Sequence, residues 1–359
     1  MTYDAARPFG RGTPTAWLVA ALALAACGDD SGSGNPFASG GSGTTSPAPT
    51  TGSTSAEPVT SAGTTVALDG TGTSASSSDD GIKLDVSAPD SPGGKQDYCN
   101  FVDILFVIDN SLSMNEWQTA LALTWPDFVD AMWDNLPEGT DLHVGMTTTS
   151  FFDGSCSEFV FNCQTQASNQ QILDHYITPD AGNTGVNGEQ GRLFEWDGQR
   201  YFEAIVGQDS ADLKTWFSQA AVAAGETGCS FEMMSAAAGY AFHPANAAFN
   251  AGFLRDEGAV LVIVVLTDEP DKSPEGAATY HQMVVDAKAG CGGDDCVIVT
   301  GIYDQCIEGN NNALWQFFNL FPNFTPDGDI EQPVGYADVV GGALAQVIGE
   351  TCDQIPPAG

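Results

Sequence analysis

The sequence predicts an α/β fold: a doubly wound, mostly parallel sheet flanked by helices, with one antiparallel edge strand and a long disordered N-terminal tether. Short, β-branched apolar runs alternate with segments of helical spacing after residue 98. The pair Asp197-Gly198 lies between two aromatic-rich runs, which favours a hairpin and hence an antiparallel edge. Residues 28–98 are dominated by Gly, Ser, Thr, Pro and Ala, which is typical of a flexible linker.

The apolar runs predict the strands, and the helical spacing predicts the helices between them. Residues 259–267 form the most apolar run after the N-terminal segment, so we expect a central strand there. The other predicted strands are 102–108, 142–149 and 297–302. The predicted helices are 115–133, 211–223, 231–242, 274–289, 314–321 and 339–348.

The chain is strongly acidic. Asp and Glu total 47 against 10 Lys and Arg, which gives a formal net charge of −37. Nine acids precede residue 96, so residues 96–359 contain the other 38 acids and six of the ten bases. Such a surface repels a phosphate backbone, and we therefore expect no nucleic-acid partner. Proteins of this kind often hold divalent cations, although solubility alone also explains the acid excess.

The N-terminus has the features of an export signal. Arg7 and Arg11 precede an apolar run over 16–26, which is too short to span a bilayer as a mature helix. The run ends Leu-Ala-Ala-Cys27, which resembles a bacterial lipobox and implies acyl chains on Cys27. The alternative is an ordinary signal peptide with a chance cysteine. We expect an exported protein whose lipid anchor is its only membrane attachment, at the outer membrane or cell surface of the bacterial envelope.

This interpretation divides the chain into three parts. Residues 1–26 are the predicted lipoprotein signal peptide, and residues 27–97 are the lipidated cysteine and its linker. Residues 98–354 are the predicted folded domain, with an insertion around 150–210.

Hydroxyl and carboxylate side chains follow the predicted strands. Asp109, Ser111 and Ser113 come after the first strand, Asp268 follows the central strand, and Thr227 precedes a helix. In an open α/β sheet, ligands bind beyond the carboxyl ends of the strands, so these side chains can reach one edge. Oxygen ligands of this kind suit Mg²⁺, Mn²⁺ or Ca²⁺. Taken singly, each residue is equally explained as a helix cap or a turn residue.

Together, Asp-x-Ser-x-Ser, a later Thr and an Asp after a buried strand resemble the metal-ion-dependent adhesion site (MIDAS) of von Willebrand factor A domains. The stretch Asp-Ile-Leu-Phe-Val-Ile-Asp-Asn-Ser resembles bacterial lipoproteins with this domain. The resemblance implies that Ser111, Ser113 and Thr227 contact a divalent cation through their hydroxyls. It implies that Asp109 and Asp268 act directly or through water, and that one position stays open for a partner's carboxylate. We expect Mg²⁺, with Mn²⁺ and Ca²⁺ as alternatives.

Three residues depart from the minimal motif. Leu112 stands between the two serines, where the family commonly has Gly. Glu269 and Asp271 are additional acids after the central strand. They could bind a second ion or shift the preference toward Ca²⁺, and the plainer interpretation is that they are solvated loop charges.

The nine cysteines fit an exported protein. Lipidation of Cys27 leaves eight, an even set that favours disulfides over a zinc site. Eight cysteines allow 105 pairings, so the connectivity is a hypothesis. Short spacing along the chain favours Cys156–Cys163 and Cys291–Cys296. The ends of a domain often lie close together, which favours a bond between Cys99 and Cys352. Cys229 and Cys306 then remain as a pair, and we expect both near the carboxyl ends of the strands.

The sequence favours binding over catalysis. It contains no Gly-x-Ser-x-Gly elbow and no phosphate-binding loop. The resemblance implies a membrane-anchored cell-envelope protein that engages a protein or glycan ligand through an acidic group. The main alternative is a structural envelope component whose metal, if present, only stabilises loops. A third is a hydrolase with Asp268 or Glu269 as base.

Overall fold

The apolar runs of the sequence form one six-stranded sheet. In a computed structural model, the described residues are 100–152, 161, 163, 165–179, 186–225, 228–309, 311–325, 328–346 and 351. They all belong to one unit, which spans Leu84–Gly359. The predicted signal peptide, Cys27 and the linker lie outside the described residues, as do Cys99, Cys156, Cys352 and Thr227.

The strand order across the sheet is β3-β2-β1-β4-β5-β6. Four neighbouring pairs are parallel, and β2 and β3 are antiparallel. This confirms the predicted fold class, a mostly parallel sheet with an antiparallel edge strand. The strands are β1 (Phe101–Ile108), β2 (Asp141–Thr148), β3 (Tyr201–Ile205), β4 (Ala259–Thr267), β5 (Val297–Tyr303) and β6 (Gly328–Asp329).

Helices cover both faces of the sheet. They are α1 (Asn115–Asn135), α2 (Asn169–His175), α3 (Ser210–Ala224), α4 (Met234–Tyr240), α5 (Ala277–Ala287), α6 (Ala313–Phe318) and α7 (Tyr336–Gln346). Alternate side chains of a strand point to opposite faces, and β1 shows this directly. Ile104 and Phe106 join the core under α1, α3 and α7, whereas Leu105 and Val107 join the core under α4, α5 and α6. Both faces of β1 and β4 are therefore largely apolar, as expected for central strands.

The predicted hairpin turn is present, but an isolated bridge joins its arms, and the antiparallel edge strand β3 pairs with β2 instead of with the other arm. Trp196 and Gln199 exchange backbone hydrogen bonds of 2.8 and 3.0 Å around the turn. Asp197 and Gly198 both have positive φ, at 50° and 76°, which suits a tight hairpin turn. The strand β3 follows at once, so part of the stretch around 150–210 belongs to the sheet itself.

A charged cluster lies near the amino end of the parallel strands, at the opposite end from the predicted cation ligands. Asp103 in β1 is fully buried, and Arg255 donates to both of its carboxylate oxygens, each over 2.8 Å. The ammonium of Lys288 donates to the carbonyl oxygens of Arg255 and Ala259. These contacts fasten the approach to β4 onto β1. Among the described helices, none combines the length and apolar character needed to cross a bilayer.

Candidate metal centre

Parallel pairing brings two predicted ligand segments together at the carboxyl edge of the sheet. Ile108 of β1 lies opposite Leu266 of β4, so the residues that follow each strand begin side by side. The backbone N–H of Asp109 continues this ladder and donates to the carbonyl of Leu266 over 2.9 Å. Asp109 and Asp268 therefore enter the same edge from adjacent strands.

The loop after β1 folds its side chains into a hydrogen-bonded chain. The backbone N–H of Ser111 donates to Oδ1 of Asp109 over 2.8 Å. The hydroxyls of Ser111 and Ser113 lie 2.9 Å apart, and the Ser113 hydroxyl donates to Oδ1 of Asp268 over 3.2 Å. Asp109 and Ser111 are buried, whereas Ser113 is exposed and Asp268 is half-buried. The structure thus brings together four of the five residues predicted as cation ligands.

Thr267 is a member of the site that the sequence analysis missed. Its hydroxyl donates to Oδ2 of Asp109 over 2.6 Å and accepts the backbone N–H of Glu269 over 3.1 Å. Both oxygens of Asp109 therefore have a protein donor, which fixes the orientation of this carboxylate. A hydroxyl as the last residue of a strand, directly before Asp268, was the available signal.

The fifth predicted ligand, Thr227, lies outside the described residues and stays a prediction. The chain before it is bonded to α1, and the chain after it is bonded to the loop that follows β1. The amide of Gln118 donates to the carbonyl of Gly225 over 2.7 Å, and the N–H of Gly228 donates to the carbonyl of Asn110 over 2.9 Å. A Cβ at Gly228 would lie 2.7 Å from that same carbonyl oxygen, so only glycine allows this approach.

The two extra acids of the motif have protein partners. Oε2 of Glu269 accepts the ammonium of Lys272 over 2.7 Å, and both side chains are buried. Oδ1 of Asp271 accepts the N–H and the hydroxyl of Ser273, over 3.0 and 2.6 Å. Oδ2 of Asp271 accepts from the hydroxyl of Ser235, at the start of α4. These contacts give both acids a structural role, and their binding of a second ion stays an untested prediction.

Glu232 is a further acid at this site that the sequence analysis did not single out. It lies just before α4, and its side chain is fully buried. The hydroxyl of Thr149, directly after β2, donates to Oε2, whereas Oε1 has no hydrogen-bond partner among the described residues. An acid between Phe231 and Met233 was the signal, but helical spacing alone does not show whether such an acid faces solvent.

The carboxylates of this edge repel one another. Burial and the charge of Asp109 raise the pKa of Asp268 to about 7, and burial and Asp109 raise the pKa of Glu269 to about 8 despite Lys272. Burial, then Asp109 and Glu269, raise the pKa of Glu232 well above its ordinary value. A divalent cation binds hard oxygen donors such as these, including a carboxylate oxygen without a partner. It also compensates excess negative charge. The residues present therefore fit such an ion.

A disulfide beside this edge corrects two predicted pairings. Cys163 is bonded to Cys306, so the predicted pairs Cys156–Cys163 and Cys229–Cys306 are wrong. The predicted pair Cys291–Cys296 is confirmed. Cys229 is also in a disulfide, and the predicted Cys99–Cys352 clasp lies outside the described residues.

Spacing along the chain did not predict this disulfide, because the fold brings together two cysteines that are far apart in the sequence. Cys306 follows β5 and Cys163 lies between β2 and β3, and both reach the carboxyl edge with Cα atoms 5.9 Å apart. The sulfur of Cys163 lies 3.9 Å from the carbonyl oxygen of Asp268 and 3.8 Å from Oδ1 of Asp304. The bridge therefore fastens the segment after β2 next to the candidate cation site. Because Cys163 and Cys306 are bonded to each other, neither offers a thiolate to a metal.

No family model matches the chain, and no curated protein matches it. Solved structures do resemble it. A von Willebrand factor type A protein from Catenulispora acidiphila is 16% identical, with 70% of this chain and 43% of that chain covered and a TM-score of 0.36. Proximal thread matrix protein 1 from the mussel byssus, with a zinc-occupied MIDAS motif, is 11% identical over 69% of this chain and 49% of that chain, with a TM-score of 0.36.

The pilus adhesin SpaC from Lactobacillus rhamnosus GG, in an open conformation, is 12% identical over 72% of this chain and 30% of that chain, with a TM-score of 0.35. The chain spans less than half the length of these three proteins. At such identities and TM-scores the likenesses carry no argument about function, so the candidate site depends on its own geometry.

Proposed function

We propose that this chain is an exported, lipid-anchored cell-envelope protein of the von Willebrand A type that binds its partner through a divalent cation. The cation, Mg²⁺ in the first instance, would lie at the carboxyl edge of the sheet. A linker over 27–97 would hold the folded domain away from the membrane. The partner would be a protein or glycan with an exposed carboxylate.

The observation that carries this proposal is the hydrogen-bonded chain from Asp109 through Ser111 and Ser113 to Asp268. It joins the ends of β1 and β4 in a cluster of hydroxyls and carboxylates. A structural turn would need only one or two of these groups. The excess of buried carboxylate over ammonium at the same edge supports a cation as the compensating charge.

The residues of the site have distinct tasks in this proposal. Ser111, Ser113 and Thr227 would hold the cation through their hydroxyls, with Asp109 and Asp268 as carboxylate partners. When bound, the cation offers a positive position for a carboxylate of the partner. Thr267 and the Ser111 N–H keep Asp109 oriented, so little rearrangement is needed on binding.

The surface around the site limits what can approach. Leu112 is 74% exposed between the two serines and offers an apolar contact at the rim. The acidic surface repels a broadly acidic partner, and salt screens this over roughly 8–10 Å. A single carboxylate on an otherwise neutral or basic partner surface is compatible with both features.

Calorimetric titration of the full chain with Mg²⁺, Mn²⁺ and Ca²⁺ tests the cation site. We expect saturable binding that the Ser111→Ala/Ser113→Ala variant loses. The Ser210→Ala/Ser218→Ala variant removes two hydroxyls from α3 and should bind as the wild type does. Equal binding by both double variants would contradict the proposal.

A second measurement tests whether the cation serves binding. We expect the chain to bind isolated cell-envelope material, and we expect EDTA to release it. Binding that resists EDTA while the cation lowers only the unfolding rate would instead favour a structural envelope component.

A further inference from the structure

The carboxylate of Glu232 is held with only one of its oxygens satisfied. Thr149 donates to Oε2, and the backbone carbonyl of Glu232 accepts the N–H of Lys272 over 2.8 Å. Both the side chain and the backbone of Glu232 are thus held in place. Oε1 is nevertheless buried and has no hydrogen-bond donor in the part of the chain that the structure describes. A buried carboxylate oxygen without a partner is strongly unfavourable, so native proteins rarely leave one.

Lys272 does not supply the missing partner. Its ammonium donates to Oε2 of Glu269 over 2.7 Å and to the carbonyl of Pro270 over 3.3 Å. Its charge acts on Glu232, but its hydrogen bonds go to residues of its own loop. The unpartnered oxygen of Glu232 therefore needs another partner.

One divalent cation leaves this edge negative. The charges of Asp109, Asp268 and Glu269 act on Glu232, and the charge of Asp304 acts on Asp268. The positive charge that opposes them at Glu232 is the ammonium of Lys272. With Glu232 counted, four carboxylates share this ammonium, so with all four ionised one negative charge remains after a single divalent ion. Uncompensated charge in a buried site is unfavourable, and the oxygen of Glu232 without a donor marks where a further cation would bind.

We propose that Glu232 is a ligand of a second, buried divalent cation, held together with Asp109 and the hydroxyl of Thr149. This rests on the proposed function, because Asp109 would serve both ions. The donors are carboxylate and hydroxyl oxygens, so the ion would be Mg²⁺, Mn²⁺ or Ca²⁺. The second ion would hold the ends of β1 and β2 to the segment before α4. It would thereby stabilise the position of Asp109 in the first site.

Counting the bound ions tests this directly. Native mass spectrometry and calorimetric titration of the full chain with Mn²⁺ should give two ions in the wild type. Glu232→Gln keeps the size of the side chain and removes its charge, and it should bind one ion. Glu257→Gln makes the same change at an exposed acid before β4 and should still bind two. The Ser111→Ala/Ser113→Ala variant should keep the buried ion alone.

The possible results separate the two proposals. No saturable binding by the wild type would overturn the proposed function. One ion in the wild type, lost in the Ser111→Ala/Ser113→Ala variant, would keep the proposed function and overturn the second site. Two ions in Glu232→Gln would also overturn the second site. The wild-type count does not depend on any variant folding.

Discussion

The hydroxyl of Thr267 donates to Oδ2 of Asp109 over 2.6 Å, joining the last residue of β4 to the first residue after β1. Both side chains are fully buried. The other oxygen of Asp109 accepts the N–H of Ser111, so two neighbours fix one carboxylate. The orientation of this central acid is therefore built into the sheet edge before any partner arrives.

Thr267→Val should weaken cation binding without removing a predicted ligand. Valine keeps the shape of threonine but cannot donate to Asp109, and losing a buried hydrogen bond to a charged group costs about 1.5–3 kcal/mol of stability. We expect the cation dissociation constant to rise roughly tenfold, which is about 1.4 kcal/mol. Calorimetric titration and chemical denaturation measure the two effects.

The matched control is Thr215→Val on the exposed face of α3, where the hydroxyl bonds only to the carbonyl of Ala211. It should leave cation binding unchanged. An unchanged affinity in Thr267→Val would mean that Ser111 and the backbone alone orient Asp109.

The long apolar strands could be predicted from the sequence because seven or more buried residues in a row leave few alternatives. The run predicted over 102–108 is the strand Phe101–Ile108. The strand Gly328–Asp329 could not be predicted, because two residues carry no periodicity. The helix Asn169–His175 was missed although Ser168 and Gln171 form a capping box, which is a readable sequence signal.

The site was only partly predictable for a different reason. Motif residues that directly follow strands, such as Ser111 and Asp268, are placed by the strands themselves. Glu232 lies seven residues beyond Gly225, the C-cap of α3, and only tertiary packing buries it under Thr149. The bond from Cys163 to Cys306 spans 143 residues, so topology and not spacing determines it.

The two described disulfides should differ in their contribution to stability. In the chain-entropy view, a cross-link stabilises more when it closes a longer loop, from about 2 kcal/mol for a few residues to about 5 kcal/mol for more than a hundred. The sequence separations are 143 for Cys163–Cys306 and 5 for Cys291–Cys296. Replacing Cys163 and Cys306 by serine should therefore lower the free energy of unfolding more than replacing Cys291 and Cys296 by serine.

Urea denaturation of the two double-serine variants at one pH makes this comparison. Losses of equal size would show that the unfolded chain is already restrained between Cys163 and Cys306 by other cross-links.

Arg255→Met should destabilise the fold and leave the cation site intact. The change leaves the fully buried carboxylate of Asp103 without its guanidinium, and removing one partner of a buried ion pair costs about 3–5 kcal/mol. Asp103 lies near the start of β1, whereas Asp109 follows its end, so the two effects should separate. Thermal denaturation should show the loss, and calorimetric titration of the still-folded variant should show unchanged cation affinity.

The double variant Asp103→Asn/Arg255→Met serves as the control, because it removes both charges. It should recover part of the stability lost in Arg255→Met. A double variant no more stable than the single variant would show that the unpaired carboxylate is not the source of the loss, which would then come from the bonds of Arg255 to the carbonyls of Val102 and Asp141.

The buried ammonium of Lys288 should make stability depend on pH in the weakly alkaline range. Burial lowers the pKa of Lys288 from the ordinary lysine value of 10.5 to about 8, although Asp103 and Asp256 partly oppose this. Between these two values the unfolded chain binds more protons than the folded chain, so the free energy of unfolding rises with pH. From pH 8 to pH 9.5 the rise is about 1.5 kcal/mol, at 1.36 kcal/mol per pKa unit.

The neutral amine keeps two N–H groups, which is enough for the carbonyls of Arg255 and Ala259. The charged side chains that act on Lys288 are those of Asp103, Arg255 and Asp256. Lys288→Met should remove that rise while leaving the contribution of the tyrosines. Urea denaturation of both proteins at pH 8.0, 8.5, 9.0 and 9.5 gives the two slopes. Equal slopes would mean that the ammonium of Lys288 stays charged throughout this range.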